Sequence, residues 1–398
     1  MNTQIHRLYE LGREDNRLII GLMSGTSLDG LDIALCRIHG SGRSTKLNLL
    51  HFVTKPYDDM FRTRVREVFA KRHIDQQVLC GLHAYIGKVH AELVNVTLTE
   101  WAIRSQDIDL IASHGQTVYH APQSLTQDRS MPNSTLQIGD ADHIAVGTGI
   151  ITVSDFRQKQ IAAGGEGAPL AAYGDHLLYT DSLETRILLN IGGISNFTFL
   201  PKQGSGGQAF ATDLGPGNTL MNQYMFKYLG KEMDEDGKIA ASGSIQQDLL
   251  DLLLEEEFLK LAFPKTTGPE LFNLSYLSRK AGDTYKKRAH EDVMATLNAF
   301  SARTIVDGIR QVAKDVDDTT VYISGGGLQN RTLIDNIKKE LPPHVRTDSM
   351  ASLGMDPDAK EACLFALLAN ETVAGEPSHV SNIKDSPAVC MGKISFPQ

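Results

Sequence analysis

Cysteine is scarce in this sequence, and its four copies are scattered. They are Cys36, Cys80, Cys363 and Cys390, with no close pair among them. This spacing excludes a zinc knuckle and a disulfide framework, and it favours a reducing compartment. Long apolar runs are also absent, and the N-terminal stretch MNTQIHRLYELGREDNR lacks the apolar core of a signal peptide. We therefore predict a cytoplasmic protein with no membrane partner, in which this stretch is an extension before the first strand.

An excess of positive charge is absent as well. The formal net charge is −9 over 398 residues, so we expect no long-range attraction to nucleic acid. An anionic substrate would have to be held by a local cation. The content of 41% hydrophobic and 22% charged residues is that of an ordinary globular protein. The length favours two domains over one core.

Apolar runs alternate with helical patterns along the chain, which predicts an α/β protein with mixed sheets. The predicted strands cover residues 18–23, 32–38, 47–54, 110–113, 135–138, 151–153, 187–191, 197–200 and 321–324. The predicted helices cover residues 61–70, 75–99, 218–229, 245–254, 293–313 and 331–340. Helix 293–313 is explained equally well as a homodimer face or as a helix buried within a domain.

The P-loop motif GxxxxGK[ST] does not occur, but three predicted strands end in glycine turns. These stretches are GLMSGTSLDGLD at 21–32, LNIGGISN at 189–196 and VYISGGGLQN at 321–330. The first, taken alone, is typical of a hairpin turn. Three such turns together favour a nucleotide site, because small residues let the backbone approach phosphates and an adenosine.

We assign the first two turns to the phosphates of ATP and the third to its adenosine. The phosphate residues are Gly25, Thr26, Ser27, Asp29, Gly30, Asp32, Gly192 and Gly193. The adenosine residues are Gly325, Gly326, Gly327 and Asn330. Asp29 is the preferred carboxylate for Mg²⁺, with Asp32 as the alternative. The spacing of the turns resembles the acetate and sugar kinase, Hsp70 and actin superfamily, which implies two α/β lobes of related fold around a central cleft.

Denser motifs narrow this resemblance. They are SHGQTVYHAP at 113–122, SDFRQKQIAAGGEGAPLAAYGD at 154–175, ATDLGPGN at 211–218, DEDGKIAASG at 234–243, FPKTTGPELFN at 263–273 and MDPDAKEACLFALLA at 355–369. Essentially the whole chain after residue 17 resembles the anhydro-N-acetylmuramic acid kinase family. The resemblance implies an enzyme of cell-wall sugar recycling that uses ATP and Mg²⁺. It would add water at C1 of the sugar, open the 1,6-anhydro ring and phosphorylate O6, giving N-acetylmuramic acid 6-phosphate and ADP.

A water that attacks an acetal carbon needs a group to accept its proton. Asp213 is the candidate, in a loop fixed by the glycine and proline that follow, with Asn218 able to cap the next helix. In isolation, a turn aspartate bonded to its own backbone is the simpler interpretation. The family resemblance implies that Asp213 is the catalytic base.

The lactyl carboxylate of a muramic sugar needs a cation, and Arg157 is the candidate. Its alternative is a salt bridge to Asp155 or another acidic neighbour. Ser113, His114 and Gln116 are candidates for contacts to the sugar hydroxyls and the acetamido group. As a lone histidine, His114 is explained equally well as a core residue.

Glu361 begins the predicted apolar helix 362–369, where a carboxylate is also favoured by the helix dipole. The resemblance implies that Glu361 contacts the substrate. The chain also departs from the family pattern, with Gln160 for a usual aspartate, Glu166 for a usual glutamine and Leu214 for a common cysteine. The first two exchanges alter charge near the predicted sugar site and point to a shifted substrate preference or a lower activity.

We predict a first lobe over residues 17–153 plus about 375–398, and a second lobe over 154–374. Two alternatives stay open at this point. One is a nucleotide-binding sensor of the same fold without kinase chemistry, for which Asp213, Arg157 and Glu361 would be dispensable. The other is a kinase that acts on a different amino sugar.

Overall fold

A computed structural model describes residues 1–314 and 316–397. The chain divides into two compact units. Unit 1 comprises Met1–Leu178 and the segment from Asp358 onward, and unit 2 comprises Tyr179–Pro357. No helix of the described residues has the length and apolar character needed to cross a membrane.

Nine strands of the described residues agree with the predicted apolar runs and extend most of them, and three more have no predicted counterpart. They are β1 (Asn16–Ser24), β2 (Gly30–His39), β3 (Lys46–Pro56), β4 (Leu110–Ala121), β5 (Ser134–Ile138), β6 (Thr152–Ser154), β7 (Thr185–Ile191), β8 (Ile194–Leu200), β9 (Phe210–Pro216), β10 (Thr319–Ser324), β11 (Val345–Ser349) and β12 (Lys393–Ser395).

The α-helices include every predicted helix and several that the sequence did not indicate. They are α1 (Thr3–Arg13), α2 (Asp59–Arg66), α3 (Gln76–Glu100), α4 (Gln123–Thr126), α5 (Ala141–Thr148), α6 (Phe156–Ala162), α7 (Ala171–Tyr179), α8 (Thr219–Tyr224), α9 (Lys238–Ser242), α10 (Gln247–Leu254), α11 (Glu257–Lys260), α12 (Leu274–Ala281), α13 (His290–Ala313), α14 (Arg331–Glu340) and α15 (Lys360–Ala374). A π-helix, Met225–Leu229, continues α8.

Unit 1 is built on a mixed sheet with the order β12-β6-β4-β1-β2-β3, and β5 pairs with β4. The pairs β1–β2 and β2–β3 are antiparallel, whereas β4 runs parallel to β1 and β6 runs parallel to β4. Apolar side chains of the sheet such as Ile20 and Ile111 pack with Phe61 of α2 and Leu82 of α3. Helix α15 packs against β1, β2 and β4.

Unit 2 repeats this topology with the order β11-β10-β7-β8-β9. The pairs β7–β8 and β8–β9 are antiparallel, whereas β10 runs parallel to β7 and β11 parallel to β10. In each unit, therefore, the first three strands are antiparallel neighbours in chain order. Two later strands lie on the other side of the first strand and run parallel to it. This confirms the predicted α/β class and the predicted relation between the two halves.

Helix α13 lies in the core of unit 2. Phe300, Ile305 and Ile309 are 0% exposed, and they belong to one apolar cluster with β7 and β10. Of the two explanations for this helix, the structure therefore supports packing within a unit, because a dimer face would leave an apolar stripe uncovered in the single chain.

Three details differ from the sequence predictions. The N-terminal stretch contains α1, whose Leu11 is 2% exposed and which packs against α15. The loop predicted around Asp213 is the strand β9, which pairs with β8 and has a register shift directly after Asp213. The units also divide after residues 178 and 357 rather than after 153 and 374, since α6 packs against β5 and α15 packs on the first sheet.

Candidate active site

The first predicted phosphate turn is the hairpin between β1 and β2. Thr26, Ser27 and Asp29 are exposed at its tip, whereas Leu28 points into the core at 2% exposure with a φ of 60°. Ser27 Oγ donates a 2.7 Å hydrogen bond to Asp29 Oδ1. This bond lowers the pKa of Asp29, which stays ionised. The hairpin therefore presents hydroxyls and a carboxylate to solvent.

Gly25 and Gly30 at the two ends of this hairpin differ in their surroundings. A Cβ on Gly30 would lie 2.6 Å from the Lys55 carbonyl oxygen of β3, so the neighbouring strand explains this glycine. A Cβ on Gly25 would make only an ordinary contact, 3.5 Å from Ser27 Oγ. Packing against β3 therefore accounts for glycine at position 30, whereas no such contact accounts for Gly25.

Two carboxylates of the hairpin influence each other. Asp32, on β2, accepts a 2.6 Å hydrogen bond from Thr54 Oγ1. Burial raises the pKa of Asp32, and the nearby charge of Asp29 raises it further. Among the described residues, no cluster of three or more His, Cys, Asp or Glu side chains could hold a metal. Two carboxylates nonetheless fit Mg²⁺, which usually takes one or two carboxylates and completes its shell with phosphates and water.

A bulge in β4 positions the candidates of the SHGQTVYHAP motif. Ser113 lies opposite Leu22 of β1 and Gln116 lies opposite Ser24, so β4 carries one extra residue between these pairs. Gly115 in the bulge has a φ of 73°, a conformation that side chains strongly disfavour. Because of the extra residue, Gln116 faces the start of the phosphate hairpin.

The side-chain oxygen and nitrogen of Gln116 both form hydrogen bonds within the protein. Its Nε2 donates to the carbonyl oxygens of Gly25 (3.1 Å) and Thr117 (3.2 Å), and its Oε1 accepts from Ser24 Oγ (2.5 Å). It is 0% exposed. Ser113, at 1% exposure, accepts a 3.3 Å hydrogen bond from the Gly115 amide. These two predicted sugar ligands are thus buried and bonded to protein groups.

His114 and Arg157 lie in direct contact. Arg157 Nε donates to His114 Nε2 at 3.0 Å, and Arg157 Nη1 donates to the Gly167 carbonyl oxygen at 2.7 Å. His114 is 4% exposed and packs against Phe365, with ring centroids 4.7 Å apart and the rings tilted by 38°. Burial, aided by the charge of Arg157, lowers the pKa of His114 to about 3, so its ring is neutral. His114 is therefore both a core histidine and the group that orients Arg157.

Arg157 makes no salt bridge to Asp155. Asp155 pairs instead with Lys393, and Arg157 Nη2 has no hydrogen-bond partner among the described residues. Burial lowers the pKa of Arg157, and the Glu361 carboxylate opposes that shift. An arginine whose Nε and Nη1 are fixed while Nη2 is unpartnered fits the binding of an external carboxylate.

Glu361 lies in the first turn of α15 and is exposed to solvent. Desolvation by the surrounding protein raises the pKa of Glu361; the Arg157 cation lowers it, and Asp32 raises it. Unit 1 thus brings Asp32, His114, Arg157 and Glu361 into one neighbourhood. This set contains both signs of charge, so it can bind an anionic group through Arg157 and accept hydrogen bonds through its carboxylates.

Gln160, one of the departures from the family pattern, is 2% exposed. Its Oε1 accepts a 2.6 Å hydrogen bond from the amide of Gly167, whose carbonyl receives Arg157 Nη1. Glu166 is exposed and accepts a 3.1 Å hydrogen bond from Ser124 Oγ. Gln160 therefore supports the loop that anchors Arg157, a link that the sequence did not reveal.

The second predicted phosphate turn is the β7–β8 hairpin of unit 2, and it is joined to the ATDLGPGN motif. The Gly192 carbonyl accepts from the Asn218 amide at 2.8 Å, and the Gly193 carbonyl accepts from the Gly217 amide at 2.9 Å. Asn218 occupies the position before α8, but its side chain does not cap the helix. Its Nδ2 instead donates to the Ile191 carbonyl oxygen at 3.5 Å, which corrects the predicted cap.

Asp213 lies on β9 beside the FPKTTGPELFN segment. Its Oδ2 accepts a 2.8 Å hydrogen bond from the Thr267 amide, and its own amide donates to the Lys265 carbonyl at 2.9 Å. Burial raises the pKa of Asp213, while the Thr267 amide lowers it and Glu270 raises it. Oδ1 has no hydrogen-bond partner among the described residues. The carboxylate is therefore held by one oxygen and has the other free to accept a proton.

The third glycine turn follows β10. A Cβ on Gly325 would lie 2.6 Å from Asn190 Oδ1, and one on Gly327 would lie 2.3 Å from Ile191 Cγ2, so both pack tightly on β7. A Cβ on Gly326 would have only Asn218 Nδ2 near it, at 4.0 Å, and Gly326 is exposed. Asn330 is 8% exposed, and its Oδ1 accepts from the Leu333 amide at 3.0 Å as the N-cap of α14. Gly326 is thus the position of this turn that is open to a ligand.

Two α/β units of one topology, each with a glycine hairpin between its first two strands, form the arrangement expected of the sugar kinase, Hsp70 and actin fold. The family model described as "Anhydro-N-acetylmuramic acid kinase" matches residues 17–396. The chain belongs to the anhydro-N-acetylmuramic acid kinase family, which confirms the resemblance inferred from the motifs.

Known members of this family align with essentially the full length of this chain. An anhydro-N-acetylmuramic acid kinase of Pseudoalteromonas atlantica is 51% identical over 400 residues and covers 100% of both chains. One of Caldanaerobacter subterraneus is 39% identical and covers 98% of this chain and 100% of its own. Among solved structures, the Acidaminococcus fermentans (R)-2-hydroxyglutaryl-CoA dehydratase component A aligns with 90% of this chain and 99% of that chain, at 14% identity and a TM-score of 0.39.

Proposed function

We propose that this enzyme opens the 1,6-anhydro ring of anhydro-N-acetylmuramic acid with water and transfers the γ-phosphoryl group of ATP to O6. The observation that carries the proposal is the environment of Asp213. One of its oxygens is held by the Thr267 amide, the other is free, and burial raises the pKa of the carboxyl. This arrangement suits a general base, since the carboxylate is oriented and more basic than a free aspartate.

In the proposed reaction, Asp213 accepts a proton from the water that attacks C1. The C1–O6 bond breaks, and its electron pair goes to O6. O6 then attacks the γ-phosphorus, and the bond to the bridging oxygen of ADP breaks. The water oxygen becomes the C1 hydroxyl, and O6, the oxygen of the former 1,6-anhydro bridge, carries the phosphate. The products are N-acetylmuramic acid 6-phosphate and ADP.

The remaining site residues bind and orient. Arg157, fixed by His114 and Gly167, holds the lactyl carboxylate. Thr26 and Ser27 of the first hairpin and Gly192 and Gly193 of the second contact the ATP phosphates. The turn 325–327, open at Gly326, holds the adenosine.

Asp29 and Asp32 would hold Mg²⁺, which neutralises phosphate charge during phosphoryl transfer. Glu361 contacts the sugar.

All four cysteines are free thiols, which supports a cytoplasmic location. A homodimer stays a prediction, and the burial of α13 means that any dimer would use another surface. Sedimentation velocity of the purified protein measures the oligomeric state.

The reaction can be tested with ATP, Mg²⁺ and anhydro-N-acetylmuramic acid in ¹⁸O-labelled water. We expect the label at C1 at early times and unlabelled oxygen at O6, whereas a kinase that phosphorylates a free hydroxyl leaves C1 unlabelled. Asp213→Asn should lower turnover about 10²–10⁴-fold and retain nucleotide binding. Asp335→Asn, an exposed change on α14, is the matched control and should leave turnover unchanged.

Each contrary result has a distinct meaning. A wild-type protein that consumes no ATP with this sugar would contradict the kinase proposal and support a nucleotide sensor. Turnover with an unlabelled C1 would support another sugar kinase chemistry. An active Asp213→Asn variant would contradict only the assignment of the base.

A further inference from the structure

A line of buried polar side chains connects helix α3 to the first phosphate hairpin. It consists of His90 on α3, Tyr57 after β3, Ser24 at the end of β1 and Gln116 on β4. Their exposed fractions are 0%, 3%, 1% and 0%. Buried polar groups are costly unless they are bonded, so a continuous buried chain fixes the positions of its members.

The orientation of the Gln116 amide is determined by its neighbours. Nε2 lies 3.1 Å from the Gly25 carbonyl oxygen and 3.2 Å from the Thr117 carbonyl oxygen, and both can only accept. Oε1 must therefore accept the hydrogen bond from Ser24 Oγ at 2.5 Å. The Gly25 carbonyl also accepts from the Leu28 amide at 3.4 Å, so this oxygen anchors the turn.

The same reasoning fixes the other links. Because the Ser24 hydroxyl hydrogen goes to Gln116, Tyr57 must donate its own to Ser24 Oγ, 2.8 Å away. Tyr57 then accepts from Nε2 of His90 at 2.9 Å, which makes Nε2 the protonated nitrogen of a neutral ring. Burial lowers the pKa of His90 to about 4, in agreement with this neutral state. Every link thus has one donor and one acceptor, all directed toward Gly25.

We propose that Tyr57, acting through Ser24 and Gln116, is a positioning residue for the phosphate hairpin. The chain holds the Gly25 carbonyl inward, and Thr26 and Ser27, which follow it at the exposed tip, are thereby directed outward toward the phosphates of ATP. Gln116 is in this view a support of the nucleotide site and no ligand of the sugar. The proposal deepens the proposed function and rests on its assignment of residues 25–30 to the phosphates.

The test measures nucleotide binding without sugar, by calorimetric titration of the full chain with Mg²⁺ and the non-hydrolysable analogue AMP-PNP. Tyr57→Phe keeps the ring and removes the hydroxyl, so we expect the Kd to rise about three- to tenfold. Gln116→Glu should raise it more, because a carboxylate oxygen would face the Gly25 carbonyl. The KM for the sugar at saturating ATP should stay within about twofold of wild type for Tyr57→Phe.

A matched control separates positioning from loss of stability. Tyr276, in unit 2, is 0% exposed, and its hydroxyl donates to the Leu253 carbonyl oxygen. Tyr276→Phe removes a comparable buried bond and should leave the Kd for AMP-PNP unchanged. A second pair tests the middle of the chain: Ser24→Ala should raise the Kd as Tyr57→Phe does, and Ser24→Thr, which keeps the hydroxyl, should restore it.

The outcomes can be told apart. Equal Kd values for wild type, Tyr57→Phe and Ser24→Ala would overturn the positioning role and leave the proposed function intact. A higher sugar KM for Gln116→Glu with an unchanged Kd for AMP-PNP would make Gln116 a sugar ligand and overturn the proposal. A wild type that binds AMP-PNP but consumes no ATP with the anhydro sugar would contradict the proposed function alone.

Discussion

Arg157 donates a hydrogen bond from Nε to Nε2 of His114 across 3.0 Å. The acceptor nitrogen must be unprotonated, and burial lowers the pKa of His114 to about 3, so the ring stays neutral at physiological pH. A buried neutral imidazole thus orients a guanidinium whose Nη2 is unpartnered among the described residues. The arrangement resembles a preformed carboxylate clamp, in which the orientation of the arginine is fixed before the ligand arrives.

If Arg157 binds the lactyl carboxylate, Arg157→Ala should lower kcat/KM for anhydro-N-acetylmuramic acid. The expected fall corresponds to a loss of about 2–4 kcal/mol of transition-state stabilisation. The loss should be smaller for an anhydro amino sugar that lacks the lactyl group. Steady-state kinetics with both sugars measure the difference. Arg37→Ala, an exposed change on β2, is the control. Equal losses on both sugars would assign Arg157 a structural role.

Buried neutral histidines should make the protein less stable in mild acid. The pKa of His114 falls from 6.5 in the unfolded chain to about 3 in the folded protein, so the unfolded state binds the proton first. The contribution of the neutral His114 ring to the free energy of unfolding is therefore present above pH 6.5 and is lost as the pH falls. Between pH 6.5 and 5, His114 should account for a loss of about 1.5 kcal/mol.

Denaturant unfolding of the variant His114→Gln measures this contribution, since glutamine can accept from Arg157 and does not titrate. The variant should lose less stability than wild type between pH 6.5 and 5. His73→Gln, at an exposed position, should behave like wild type. An identical decline in wild type and His114→Gln would show that the ring is not held neutral.

The regular elements and the glycine hairpins could be predicted because their signals are local. Helix α14 begins and ends at the predicted residues, since its apolar residues recur at helical spacing and Asn330 caps it. The hairpins after β1 and β7 follow from glycines between apolar runs. The family could be recognised because its motifs occur in the family's order along the whole chain.

Other features depend on contacts that are distant in sequence. The residues of β9 contain Gly215 and Pro216, which are typical of a turn, and only pairing with β8 makes them a strand. The burial of Gln116 against Ser24 depends on the bulge at Gly115, which the letters of the motif do not show. Helix α15 follows unit 2 in the chain but packs on the first sheet. This assignment likewise depends on packing, and no linker in the sequence marks it.

The carboxylate of Asp29 should set the Mg²⁺ requirement. Ser27 keeps Asp29 ionised, and its position at the exposed hairpin tip makes it accessible to a metal bound to ATP. Asp29→Asn should raise the Mg²⁺ concentration for half-maximal activity about tenfold at fixed ATP. Asp59→Asn, which alters a carboxylate paired with Arg62, is the control. An unchanged Mg²⁺ titration for Asp29→Asn would remove Asp29 from the metal site.

The pH profile of kcat/KM should report the ionisation of Asp213. A general base must be deprotonated, so activity should fall on the acid side, with an apparent pKa above the ordinary aspartate value because burial raises the pKa of Asp213. Glu270 also raises this pKa through its charge. Glu270→Gln should therefore shift the acid limb to lower pH.

A matched control for this shift is Glu257→Gln, which removes an exposed carboxylate of unit 2 that pairs with Lys260. It should leave the acid limb in place. In Asp213→Asn, the residual activity should lose the acid limb altogether, since the titrating group is gone. An acid limb that persists in Asp213→Asn, or that Glu270→Gln does not move, would mean that another group accepts the proton of the attacking water.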